Sequence, residues 1–106
     1  MKKETMFTVT NNVLDANFTC LQAEVSLPPR ATFELLGDPL SGDGEKTTAE
    51  WILEDEHGHT VTLYDWKSEP SALSQMDSNN PFVFHIGGHD SMTAGKFKDW
   101  LIKNLR

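Results

Sequence analysis

Four histidines fall in two spaced pairs, His57-Gly58-His59 and His85-Ile86-Gly87-Gly88-His89, with Asp90 directly after the second pair. Imidazole and carboxylate groups are zinc ligands, and a zinc site needs three or four of them to converge. Alternate residues of an extended strand point to one side, so His57 and His59 could act together only where their segment stays extended. The spacing completes no zinc motif. His57 and His59 are expected on an exposed turn and His85 in or beside a sheet, so no metal or other cofactor is assigned. Gly87-Gly88 ahead of a helix start offers a different chemistry, because free backbone N–H groups at such a junction can cradle an anion. His85, Gly87, Gly88, His89 and Asp90 are therefore the candidate ligand-binding residues, with a nucleotide or a metal ion as the ligand.

Other patterns offer less. Gly42-Asp43-Gly44-Glu45-Lys46-Thr47 ends like a phosphate-binding loop. Glu45 stands where that motif needs glycine, however, and a strand pattern follows where a helix is required. Cys20 is the single cysteine, and a lone cysteine in a mixed strand is more often a small core residue than a nucleophile. Glu54, Asp55 and Glu56 sit together at a turn open to water, a poor setting for general acid–base work. These observations point away from an enzyme and toward a binding protein.

Several elements must position these residues. Met6 to Thr10 alternates apolar and polar side chains and reads as a strand. Phe18 to Leu27 reads as a second strand whose phase changes near Ala23, the mark of a bulge. Pro29 to Leu36 suits a short helix, opened by proline and closed by Gly37. Residues 47–66 form a β-hairpin around Asp55-Glu56-His57-Gly58-His59. A two-residue or a four-residue loop gives the same division of faces. Ala49, Trp51, Leu53, Thr62, Tyr64 and Trp66 then face the core, while Glu50, Ile52, Glu54, Val61, Leu63 and Asp65 are partly exposed. Residues 67–81 are a surface loop with one weak helical turn near Ala72-Leu73. Phe82 to Ile86 is a central strand ended by Gly87-Gly88. A final helix, about 91–105, is capped by Asp90 or Ser91 and buries Phe97, Trp100, Leu101 and Leu105. The fold class is α+β: one domain over 1–106, with an antiparallel sheet, a central hairpin and both helices on one face.

The chain has 106 residues, 38% of them hydrophobic and 24% charged, which suits one modest core. No apolar run reaches the length of a membrane span. The opening Met1-Lys2-Lys3-Glu4 leads into an alternating stretch rather than the apolar run of a signal peptide, and Cys20 has no partner in the chain. Both suit a cytoplasmic protein. The net charge is −7. The acids concentrate in residues 31–70, where Lys46 and Lys67 are the only cations. Only Lys96, Lys98, Lys103 and Arg106 near the C-terminus could form a basic face, so direct nucleic-acid binding is disfavoured. An acidic surface instead suits a protein partner with a basic surface. Asp38, Asp43, Glu45, Glu54, Asp55 and Glu56 are the candidate contact residues. Trp51, Trp66 and Trp100 are expected in the core; any one left exposed would be an interface anchor.

One ordered set of segments is distinctive. It runs Phe33-Glu34-Leu35-Leu36-Gly37-Asp38-Pro39, Gly42 to Thr47, Glu50-Trp51, Thr62-Leu63-Tyr64-Asp65-Trp66-Lys67 and His85-Ile86-Gly87-Gly88-His89. It resembles small proteins carried by phages and other mobile elements, over roughly residues 30–90. The resemblance implies an origin and a mode of action: a short acidic protein that binds and blocks a host defence or nucleic-acid-handling factor, in the host cytoplasm. It supplies no catalytic residues. A small-ligand protein using the His85–Asp90 segment and a self-associating module using strand edges are the alternatives.

Overall fold

The hairpin expected at 47–66 forms the centre of the sheet. The computed structural model describes residues 6–12, 19–40, 49–66 and 71–105. The elements are β1 (Phe7–Val9), β2 (Cys20–Leu27), α1 (Pro29–Leu36), β3 (Glu50–Asp55), β4 (Thr60–Tyr64), β5 (Phe82–Gly88) and α2 (Ser91–Leu105). A 3-10 turn lies at Leu73–Gln75, where the weak helical turn is expected. The five strands run in the order β1-β3-β4-β5-β2, and each neighbouring pair is antiparallel. The fold is α+β, with a short helix and a C-terminal helix.

Local chemistry sets the element ends. Pro29 opens α1, and the buried Thr32 hydroxyl donates to the Pro28 carbonyl at 2.9 Å. Gly37 closes the helix with φ +80°, a conformation that favours glycine, and its N–H donates to the Phe33 carbonyl. Asp90 caps α2, its Oδ2 accepting the Thr93 N–H at 3.3 Å. The bulge in β2 falls between Leu21 and Ala23, as the phase change predicts.

One side of the sheet faces both helices. Phe7, Val25, Leu27, Trp51, Leu53, Val61, Leu63, Phe84 and Ile86 meet Leu36, Phe97, Trp100 and Leu101 there in one core. The Phe33 ring meets Trp51 edge-on at 4.9 Å between centroids, and the Trp51 indole N–H donates to the Gly37 carbonyl at 3.0 Å. Fully burying a side chain of this size contributes roughly 1.5–3 kcal/mol. Trp51 and Trp100 are core residues, as expected.

The hairpin register differs from both even-loop versions. Trp51 pairs with Leu63 and Glu50 with Tyr64, leaving Glu56-His57-Gly58 as the loop between Asp55 and His59. An odd loop moves every residue of β4 to the other face. Val61, Leu63 and Asp65 therefore join the core side, while Thr62, Tyr64 and Trp66 leave it. The physical reason lies in the turn. A two-residue loop of the favoured type needs positive φ at both central positions, and of His57 and Gly58 only the glycine adopts it. A three-residue loop needs it only at the third, where Gly58 has φ +82°.

A second difference concerns β5, which continues through Gly87 and Gly88 instead of ending at Ile86. Both glycines are buried and pair with β4 and β2. A side chain at Gly87 would place its Cβ 2.5 Å from the Thr62 hydroxyl and 3.4 Å from the Tyr64 ring. Glycine here serves close approach within the sheet, not a flexible turn.

Candidate functional site

The acids of the hairpin tip have divided roles. Asp55 is buried on the helix side of the sheet and its carboxylate is committed to the turn. Oδ1 accepts the N–H groups of His57 and His59, each at 2.8 Å, and Oδ2 lies 3.1 Å from His59 Nδ1. Burial works against its ionisation, but the backbone N–H groups of His59 and His57 and the adjacent imidazole outweigh it. The Asp55 carboxyl is held below its ordinary value. This residue builds the turn and does not belong to an exposed contact surface. Glu54 points to the face away from the helices, Glu56 is exposed at the tip, and Asp38 is exposed beyond α1, where its carbonyl accepts the Asn11 side-chain amide. Asp43 and Glu45 lie outside the described residues.

The His85–Asp90 group does not converge. His85 and Gly87 belong to the face away from the helices, Gly88 to the helix side, and His89 is exposed past the strand end. Asp90 caps α2, and the Thr93 side chain, helped by its backbone N–H, lowers the Asp90 pKa against desolvation. No group of three His, Cys, Asp or Glu side chains suited to a metal occurs among the described residues. His57 and His59 are exposed at the turn, as expected.

The strongest constellation depends on the odd-numbered hairpin loop. On the face away from the helices, Glu50 pairs with Tyr64, Tyr64 with His85, and His85 with Glu24. Four residues from β3, β4, β5 and β2 thus form one row across the sheet, with an acid at each end and two rings between. The Tyr64 ring meets the His85 ring edge-on at 5.7 Å and the Trp66 ring edge-on at 6.4 Å. Glu24 Oε1 lies 3.9 Å from His85 Nε2, and its side chain is 60% exposed. Burial and the Glu50 carboxylate raise the pKa of the Tyr64 phenol, which therefore stays protonated through the neutral range.

No family model matches this chain, and no curated protein matches it.

The site therefore rests on geometry. Leu21, Tyr64, Trp66 and His85 line a groove of about 320 Å3. Leu21, Val83 and Trp66 are 52%, 50% and 41% exposed, all on this side of the sheet. Ile52, farther toward β1 on the same face, is buried. Trp66 is the one tryptophan left substantially exposed, against the expectation that all three lie in the core. Gly87 leaves room beside the row, since a Cβ there would collide with the Thr62 hydroxyl and touch the Tyr64 ring. The signal that could have found this row is Gly58 in the third position of the loop.

Proposed function

We propose that this protein is a non-enzymatic binding protein that docks on a basic surface of a protein partner, using the sheet face away from its helices. The observation that carries the reading is the groove in which exposed Leu21 and Trp66 meet Tyr64 and His85, with Glu24 and Glu50 on either side of the Tyr64–His85 pair. An apolar, aromatic centre with a charged margin is the usual anatomy of a protein interface. Glu54, Glu56 and Asp38 extend the negative margin and steer a basic partner at longer range.

Three contacts favour binding over catalysis. His85 and Glu24 are 3.9 Å apart, beyond the reach of a hydrogen-bonded base and its orienting carboxylate. The Cys20 sulfur accepts the Gln22 side-chain amide at 3.3 Å and its thiol faces the Gly88 carbonyl at 3.9 Å. No helix among the described residues is long and apolar enough to cross a membrane. The likeness over residues 30–90 gives the role its form: a phage-borne inhibitor of a host defence or nucleic-acid-handling protein, acting in the host cytoplasm.

The test is capture from host lysate by three immobilised proteins. The wild type should retain a basic protein and release it as salt rises. Leu21→Ser/Trp66→Ser should retain none of it. Asp38→Asn/Glu54→Gln/Glu56→Gln should retain it more weakly and with less salt dependence. Equal capture by wild type and Leu21→Ser/Trp66→Ser would overturn the reading.

Self-association is a second reading, favoured by one observation: β2 is eight residues long and lies at an edge of the sheet. Light scattering that shows a monomer at millimolar concentration would remove it.

A further inference from the structure

We infer that the groove over Tyr64 and His85 receives one arginine side chain of the protein partner, its guanidinium against the rings and its charge between Glu24 and Glu50. The inference rests on the binding role above and adds the chemistry that the role must recognise.

Shape comes first. The groove is about 320 Å3, and among the described residues Leu21, Tyr64, Trp66 and His85 line it. That is the small end of ligand-sized cavities, suited to one inserted side chain. Its walls are ring faces and edges: Trp66 stands at 81° to Tyr64, and His85 at 65°. Rings set steeply to one another present both a floor and a wall to a flat group.

Charge comes second. Glu50 and Glu24 lie at the two ends of the row, separated by three strand spacings, about 14 Å between backbones. A cation above the central rings therefore has a carboxylate on each side, and a chain of net charge −7 adds to the attraction. Aromatic faces attract cations through their quadrupole, tryptophan most strongly. An anion would meet a carboxylate at both ends, and a neutral apolar side chain would draw nothing from their charge.

Arginine fits better than lysine. Its guanidinium is planar, stacks on rings and gives up water more readily than an ammonium. It also presents several N–H donors, which can serve a carboxylate while the plane stays on a ring.

The experiment is an NMR titration of the 15N-labelled full chain with the peptide acetyl-Gly-Ser-Arg-Ser-Gly-amide. The same peptide with citrulline replaces the guanidinium by an uncharged group of similar shape. The arginine peptide should shift the Trp66 indole signal saturably. The Trp51 indole, buried and bonded to the Gly37 carbonyl, should stay still as the internal control for folding. Glu24→Gln/Glu50→Gln should weaken binding about fivefold, and Trp66→Leu, followed by its Tyr64 and His85 backbone amide signals, by a similar factor. Equal shifts from the citrulline peptide, or no shift at Trp66 up to the peptide's solubility limit, would overturn the inference. Partner capture that depends on Leu21 and Trp66 would stand even then, so failure of the arginine site and failure of the binding role are distinguishable.

Discussion

The helix-side face of the sheet and the face opposite are built from alternate residues of the same strands, yet they solve different problems. On the helix side, Trp51, Leu53, Leu63, Phe84 and Ile86 are fully buried and meet two helices. On the other, Leu21, Val83 and Trp66 are exposed beside Tyr64, His85 and two glutamates. Burial explains the first set, because each side chain gives up contact with water for close packing. It does not explain the second. Exposed apolar groups contribute little to stability, and their grouping with rings and acids is what a contact surface needs.

The sharpest way to break this contrast is a pair of truncations. Trp51→Ala should destabilise the protein by about 3–5 kcal/mol, measured by urea unfolding. Trp66→Ala should cost less than about 1 kcal/mol in the same measurement. Similar costs for the two would mean that both faces are core.

Next in size is the effect of Asp65, a buried carboxylate on the helix side. Its Oδ1 accepts the Ala49 N–H and its Oδ2 the Ala72 N–H, each at 3.1 Å, which ties the start of β3 and the 3-10 turn to the end of β4. Asp65→Ala strands two buried donors and should cost about 3 kcal/mol by urea unfolding.

Gly87→Ala probes the opposite face. The new methyl would collide with the buried Thr62 hydroxyl and press on the Tyr64 ring. A loss of about 1–3 kcal/mol is expected, with shifted Tyr64 and His85 ring signals in NMR spectra. Unchanged ring signals would mean that the row does not lie over this strand.

The smallest expected effect is at the hairpin tip, and it depends on pH. The Asp55 pKa is lowered in the folded protein, so its contribution is present above the ordinary carboxylate range. It is lost as pH falls through the lowered folded-state value. At neutral pH, Asp55→Asn should cost about 1–2 kcal/mol. The difference from wild type should shrink as the wild-type carboxyl is protonated in acid. A difference that stays constant with pH would mean that the charge is not what the turn uses.

Most of the scaffold is legible in the residues. Pro29 and Gly37 bound α1, and the spacing of Phe97, Trp100 and Leu101 marks the buried stripe of α2. The bulge in β2 shows as a phase change. The site is less legible because it depends on register. Thr60 to Trp66 alternates well enough to place either set of side chains inward, so one loop residue decides which rings meet water. Asp65 and Asp55 mislead for a related reason. Both are acids buried by backbone N–H donors that a residue pattern does not show. Gly87-Gly88 misleads as well, since glycine marks close approach within a sheet as readily as a turn.

The division between the two faces is tested most directly by stability and binding measured on one protein. Leu21→Ser/Trp66→Ser should keep its urea midpoint within the shift of a surface change, about 1 kcal/mol, while capture of the basic partner disappears. A loss of several kcal/mol would place these residues in the core. Full stability with capture intact would mean that the partner docks elsewhere.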